Sequence, residues 1–283
     1  MRDEIDTAVL LTGLFTVANL LGVAAGARIY TAPAVQQTAA AYQSPLSGVW
    51  FFAVLVASTA VLLALYRWNR QLLVQLWFGT ALVFTAFILF NAFVALVPAV
   101  LLTLVFAALR FRTEDMLLRN ALDTVPFAGA GALFGAVLGV QAVLVFAALL
   151  AVYDYIAVDR IGHMVTLAEE GAASDTLMGF QYPAADAAEA PAETGNSTGG
   201  GQQVRAGMLG GGDVVVPIII AVSLIPVFGT GAAVSVVAGS AAALFLFLTA
   251  IQSRETARFY PAIPVVGSGA VLGLVLFLAV SAV

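Results

Sequence analysis

Runs of about 20 apolar residues recur along most of this chain and constrain its fold more than any other feature. A helix needs about 20 mostly apolar residues to cross the hydrocarbon core of a bilayer. Segments close to that length lie at 8–27, 48–66, 71–90, 92–109, 120–138, 140–158, 207–228, 231–251 and 259–282. The sequence therefore predicts an all-α polytopic membrane protein with nine transmembrane helices.

The composition argues against several other classes. Charged residues make up 10% and hydrophobic residues 62% of the 283 residues, against about 25% and 45–50% in soluble domains. Acidic residues number 16 and basic residues 11, so the chain lacks the basic surface that binds a phosphate backbone. We expect neither a soluble enzyme nor a nucleic-acid partner. The lack of cysteine excludes disulfides and thiol catalysis.

The arginines predict how the chain is oriented. All 11 basic residues are arginine, and with a cytoplasmic N-terminus only Arg28 falls on the outside. Such an excess on one side is the positive-inside signal of membrane proteins. We therefore expect an integral protein, most simply of the cell membrane, with a cytoplasmic N-terminus and an extracytoplasmic C-terminus.

One long polar stretch divides the chain into three parts. Residues 159–206 are rich in alanine, glycine, serine and acidic residues, a composition that cannot bury a core. We predict a flexible cytoplasmic linker there, between helices 1–6 (1–158) and helices 7–9 (207–283). His163, the single histidine, falls in this linker and is interpreted as a surface residue rather than part of a catalytic triad.

Two aspartates lie within the apolar segments, where an ionisable group is costly and indicates a functional site. Asp154 precedes Arg160 by six residues, and Asp213 follows Arg205 by eight. Helical rise places the two aspartates ~9 Å and ~12 Å from these arginines. Neighbouring antiparallel helices would therefore carry them at similar depth. Asp123, at the start of the fifth segment, is interpreted instead as an interfacial anchor.

Two carboxyls at hydrogen-bonding distance share a proton and can act on one substrate together. One takes a proton from water while the other donates a proton to a carbonyl oxygen, which is aspartyl hydrolysis. This chemistry requires no metal and no organic cofactor, and we expect neither.

The residues around Asp213 favour an unusual backbone. Gly210, Gly211 and Gly212 directly precede it, and glycines permit either close helix approach or an extended strand with which a substrate could pair. Pro217, four residues later, leaves the Asp213 carbonyl without its helical amide partner.

Three short motifs resemble those of presenilins and signal peptide peptidases. They are Tyr153-Asp154, similar to the family's YD motif; Gly210-Gly211-Gly212-Asp213, similar to GxGD; and Pro261-Ala262-Ile263, similar to PAL with Ile in place of Leu. A second register for the last motif begins at Pro264. The motifs fall on the sixth, seventh and ninth segments, which is also the family's layout.

The resemblance implies an intramembrane aspartyl protease that cuts transmembrane segments of other proteins. It implies that Asp154 and Asp213 are the catalytic pair, and that Pro261, Ala262 and Ile263 shape the active site and hold an unwound substrate. The substrates would be single-span membrane proteins or signal-peptide-like helices within the lipid bilayer, and oligomerisation stays open. The cytoplasmic N-terminus favours a presenilin-like microbial homologue.

Two alternatives remain at this point. A proton- or ion-coupled transporter could use both aspartates as a relay, because broken helices near a charge are typical of transporters. However, no internal repeat is evident, and both aspartates lie toward one side of the membrane. A prepilin-peptidase-like enzyme would explain GxGD but not the other two motifs.

Overall fold

Helices make up most of the residues that the computed structural model describes, which are 2–156, 179–183, 206–252 and 262–281. Pro261, His163 and most of the predicted linker lie outside these ranges. The elements are α1 (Arg2–Ile29), α2 (Pro33–Ala41), α3 (Pro45–Arg67), α4 (Gln71–Phe93), α5 (Leu96–Arg112), α6 (Met116–Val137), α7 (Val140–Ile156), β1 (Gly179–Pro183), β2 (Ala206–Gly210), α8 (Gly211–Gln252) and α9 (Ile263–Ser281).

The helices confirm the all-α membrane fold. Among the described residues, α1, α3, α4, α8 and α9 contain stretches long and apolar enough to cross a membrane. The 40-residue stretch of α8 would extend ~60 Å, twice the ~30 Å hydrocarbon core. Gly229 breaks it with φ 79° and ψ 177°, so α8 forms two spans, α8a (211–228) and α8b (230–252). With α5 and α7 (17 residues each) and α6 (22 residues), the described part of the chain contains a helical segment for each of the nine predicted spans.

Two elements were not predicted. Helix α2 lies between the first two spans and packs on α6. Strands β1 and β2 form an antiparallel ribbon in which Phe180 pairs with Leu209. The ribbon places a strand at 179–183, within the predicted flexible linker, and at 206–210, where the seventh helix was predicted to begin. The physical reason is local, because Phe180 and Leu209 are buried although the stretch around them is polar on average.

Contacts between helix ends support the predicted alternation of the spans. The Arg28 guanidinium lies 5.0 Å from the centre of the Phe93 ring, so the C-terminal ends of α1 and α4 share one side of the molecule. The Gly139 N–H donates to the Tyr42 carbonyl at 3.2 Å. The connection between α6 and α7 therefore lies on the same side as the end of α2, as alternating spans require.

Helix α8a is held between two glycine-lined helices. A Cβ on Gly22 of α1 or on Gly131 of α6 would lie within 2.5 Å of the Ile218 side chain. Gly26 and Gly135, one turn further along each helix, approach Val222 in the same way. Spacings of four residues between glycines allow close helix packing in membranes. The helix that begins near Asp213 is thus fixed in position from two sides.

Candidate active site

Asp154 lies in the last turn of α7 and is 7% exposed. Helix α7 packs against both α8 and α9, so its last turn faces the beginnings of two other elements of the site. The preceding residue, Tyr153, packs its ring edge-on against Phe52 of α3, with 5.9 Å between ring centres. This contact fixes the rotation of α7 and thereby the direction in which Asp154 projects.

Asp213 is in the first turn of α8a and is partly exposed. Its carboxylate accepts a hydrogen bond from the backbone N–H of Gly210, the last residue of β2. A side chain on Gly210 would meet the same carboxylate, because a Cβ there would lie 3.1 Å from Asp213 Oδ2. Glycine at 210 therefore lets the end of the strand approach the acid closely.

The two carboxylates are neighbours across the contact between α7 and α8. The charge of Asp154 acts on Asp213, and the helices that carry them pack directly. Beyond this pair, a metal site would need more donors. The described residues contain no group of three or more His, Cys, Asp and Glu side chains that could hold a metal ion.

The start of α9 completes the site. The backbone N–H of Ile263 donates a hydrogen bond to the Asp154 carboxylate. Ala262 is the N-cap residue, since its carbonyl accepts from the N–H groups of Val265 and Val266 at 3.0 Å. The first N–H groups of a helix have no acceptor within the helix, and the positive end of the helix dipole favours a carboxylate. Ile263 is therefore free to bind Asp154.

One oxygen of Asp154 has no partner of its own. Asp154 Oδ2 is buried, and no donor among the described residues bonds to it. Buried polar atoms are nearly always hydrogen-bonded, and exceptions call for an explanation such as a catalytic role. An oxygen in this position can accept a proton or bind a water molecule or substrate atom.

Strand β2 brings an open backbone edge to the same place. Asn120 of α6 bonds both backbone groups of Gln181, at 2.6 Å from its Nδ2 to the carbonyl and 2.9 Å from the amide N–H to its Oδ1. Paired residues of antiparallel strands alternate between mutually bonded and outward-pointing positions. Gln181 bonds outward to Asn120, so its pairing partner Met208 also directs its backbone groups away from β1. Gly210, two residues further along β2, has the same orientation. The Gly210 N–H accordingly reaches Asp213 instead.

The remaining predicted site residues differ in their surroundings. Gly211 and Gly212 begin α8a in helical conformation rather than extending the strand, and a Cβ on Gly212 would meet nothing within 4 Å. Ala262 and Ile263 are each 7% exposed. The structure thus brings together Asp154, Asp213 and the first turn of α9, with Gly210 between strand and helix.

Asp123 is more deeply buried than the sequence indicates. It is 1% exposed, and it pairs with Arg110 of α5, whose Nε lies 2.5 Å from Asp123 Oδ1. Its sequence neighbour Arg119 gave no sign of this partner on another helix. The Asn120 contact was also missed, although a lone amide in an apolar segment is a signal that could have been noted.

The fold and site define a class: a polytopic membrane protein with two aspartates on neighbouring helices. The family described as signal-peptide peptidase, presenilin aspartyl protease matches residues 12–283. The chain belongs to this family, as its three motifs predicted.

Solved structures are similar over nearly the whole chain. A presenilin family intramembrane aspartate protease in space group C222 superimposes with a TM-score of 0.67 at 22% identity, covering 96% of this chain and 99% of that one. A second such structure, in space group P2, gives a TM-score of 0.66 at 23% identity, covering 95% and 96%. At this identity they establish the shared fold. A comparison with curated proteins found no match.

Proposed function

We propose that this protein is an intramembrane aspartyl endopeptidase that hydrolyses peptide bonds within transmembrane segments, with Asp154 and Asp213 as its catalytic pair. The observation that carries the proposal is the packing of α7, whose last turn holds Asp154, against α8 and α9, with the charge of Asp154 close enough to act on Asp213. Membership of an aspartyl protease family favours hydrolysis over the transporter and over a prepilin-peptidase-like enzyme.

The reaction requires one protonated and one ionised carboxyl, the state in which two adjacent carboxyls share a proton. The ionised carboxylate takes a proton from water as the water oxygen attacks the scissile carbonyl carbon. The other carboxyl gives its proton to the carbonyl oxygen, and a tetrahedral diol forms. The C–N bond then breaks, the amine takes a proton from one aspartate, and a diol hydroxyl returns a proton to the other. Either aspartate can fill either role.

The substrate must present an unwound backbone, because a helix buries its amides in its own hydrogen bonds. The outward edge of β2 offers both backbone groups of Met208 and the carbonyl of Gly210, with which an extended segment can pair by strand addition. Within the described residues the sheet has two strands, so this edge has no strand partner of its own. A scissile bond held there lies next to Asp213.

Two further parts of the proposal are the register of the third motif and the orientation of the chain in the membrane. The Ile263–Asp154 hydrogen bond supports the register Pro261-Ala262-Ile263 over one that begins at Pro264. The arginine distribution supports a cytoplasmic N-terminus in a cell membrane. The aspartates would then act near the cytoplasmic side, and water would reach them from there.

The test is cleavage of a single-span reporter by the purified protein in liposomes, followed by mass spectrometry. We expect cuts inside the reporter helix for the wild type and none for Asp154→Asn or Asp213→Asn, which keep the side-chain shape. Glu114→Gln is the control, because Glu114 is exposed between α5 and α6 and the same chemical change there should leave cleavage unaltered.

Two results would overturn the proposal. Cleavage that persists in either aspartate variant would remove that residue from the mechanism. A wild type that cuts no reporter but carries protons across the same liposomes would establish the transporter instead.

A further inference from the structure

We infer that Asn120 is a positioning residue of the active site, which fixes the β1–β2 ribbon and leaves β2 as the single edge at which a substrate strand can pair. The inference rests on the proposed function and adds a determinant of where the substrate is cut. Its basis is the pair of hydrogen bonds between the Asn120 side chain and the Gln181 backbone.

The Asn120 amide takes the place of a neighbouring strand. It donates to the Gln181 carbonyl and accepts from the Gln181 N–H, which are the two bonds that a third strand would make with that residue. An unpaired strand edge is a template for any extended segment. With its central residue bonded to Asn120, the outer edge of β1 is closed to such pairing.

Helix α6 also fixes the face of the ribbon. Phe127 lies two turns after Asn120 on the same side of α6, and its ring packs edge-on against Phe180, with 5.5 Å between ring centres. Phe180 is fully buried and pairs with Leu209 of β2. One side chain of α6 therefore holds the edge of β1 and another holds its inward face.

Asn120 influences the catalytic residues through the pairing register of β1 and β2. Gln181 pairs with Met208, and Gly179 pairs with Gly210, the residue that bonds Asp213. A shift of β1 along β2 would alter which backbone groups of β2 point outward. Asn120 thus sets which residues of β2 receive the substrate, and thereby which peptide bond lies beside the aspartates.

Asn120 is buried, so its amide is not simply a solvent-exposed polar group. It is 1% exposed, and an amide in an apolar helix is costly unless its groups are satisfied. Asn19 of α1 provides a matched comparison, since it is also fully buried. Its amide nitrogen donates to the Phe15 carbonyl of its own helix at 2.8 Å, and its Oδ1 has no hydrogen-bond partner among the described residues.

The experiment measures the cut positions, KM and kcat of full-length Asn120→Ala, Asn120→Asp, Asn120→Gln and Asn19→Ala on the reporter in liposomes. We expect Asn120→Ala to raise KM by roughly tenfold or more and to spread cleavage over additional bonds. Asn120→Asp should act in the same direction, because it retains an acceptor for the N–H but faces the Gln181 carbonyl with a second oxygen. Asn120→Gln keeps both groups and should restore much of the single cut position.

The outcomes separate this inference from the proposed function. Unaltered KM and cut positions in Asn120→Ala, or the same changes in Asn19→Ala, would overturn the role of Asn120 while the aspartate pair stands. Loss of thermal stability alone, equal in both alanine variants, would also overturn it. If the alanine variant does not fold, the cut positions of Asn120→Asp and Asn120→Gln decide the matter. A wild type without cleavage would instead refute the proposed function.

Discussion

Arg110 and Asp123 form an ion pair between α5 and α6, with 2.5 Å from Arg110 Nε to Asp123 Oδ1 and 3.3 Å from Nη2 to Oδ2. Both residues are almost fully buried, with 6% and 1% of their surface exposed. Their two parallel hydrogen bonds match the forked guanidinium to the carboxylate. The pair joins α5 to α6.

Breaking this pair should destabilise the protein strongly. Arg110→Met removes the guanidinium of α5 from the buried Asp123 carboxylate, and Asp123→Leu removes that carboxylate from the buried arginine, so we expect each to cost about 3–5 kcal/mol. The double variant removes both charges and should be more stable than either single one. Thermal unfolding in detergent measures the coupling. Arg112→Met is the control, because Arg112 is exposed and should change stability by less than about 0.5 kcal/mol. Additive losses would contradict the pairing.

Substitution of two glycines of α9 by alanine should change the stability of the protein in opposite directions. A Cβ on Gly269 would lie 2.5 Å from both Ala243 Cβ and the Gly239 carbonyl oxygen of α8b, whereas a Cβ on Gly267 would meet nothing within 4 Å. Gly269→Ala should therefore destabilise by about 1–3 kcal/mol. Gly267→Ala should stabilise by up to about 1 kcal/mol, since alanine favours the helix. Unfolding temperatures measure both, and equal shifts would refute the close contact.

The packing of α8a predicts a compensating pair. A Cβ on Gly26 would lie 2.4 Å from Val222 Cγ1 and 2.6 Å from Cγ2, so Gly26→Ala should displace the helix that carries Asp213. Val222→Ala removes both methyl groups. We expect the double variant to lose less stability than the sum of the single losses, with a coupling of about 0.5–3 kcal/mol. Cleavage rate should follow the same order, and simple additivity in both measurements would contradict the prediction.

The hydrogen bond from Ile263 can be removed without disturbing the helix. Proline is well tolerated at the first position of a helix, where its missing N–H has no helical acceptor. Ile263→Pro should thus preserve α9 but deprive Asp154 of its backbone donor. Because a hydrogen bond to a charged group contributes about 1.5–3 kcal/mol, we expect kcat to fall roughly 10- to 100-fold.

Ile263→Val is the control for that experiment. It retains the N–H and most of the side chain, so its kcat should stay near that of the wild type. Circular dichroism and thermal unfolding of both variants separate a lost donor from a lost helix. A wild-type kcat for Ile263→Pro would show that the N–H does not serve the reaction.

The parts of the fold that could be predicted depend on the local sequence. The spans follow from apolar length, and Gly229 lies in the short interval between the seventh and eighth predicted segments. Asp154 and Asp213 were found as ionisable residues in apolar surroundings, which requires no tertiary information. The prediction of nine spans is confirmed, and the assignment of the two aspartates remains a proposal.

The parts that could not be predicted depend on distant contacts. Strand β1 owes its position to Asn120 and Phe127, some 60 residues earlier in the chain, and nothing near Phe180 signals those partners. Asp123 pairs with Arg110 on another helix, which no local pattern indicates. Composition averaged over 159–206 concealed a short strand, 179–183, whose Phe180 is buried in the core.

The two-strand ribbon has a consequence for how substrates would be selected. Isolated pairs of strands are only marginally stable, and sheets gain independent stability from a third strand. A segment that pairs with β2 must first give up its own helical hydrogen bonds. Its binding free energy is therefore the free energy gained by strand pairing minus the free energy lost when its helix unwinds. Glycine and β-branched residues lower that loss, and β-branched residues also suit a strand. Selection would therefore depend on how weakly a transmembrane segment holds its helix, more than on any particular side chain at the cut.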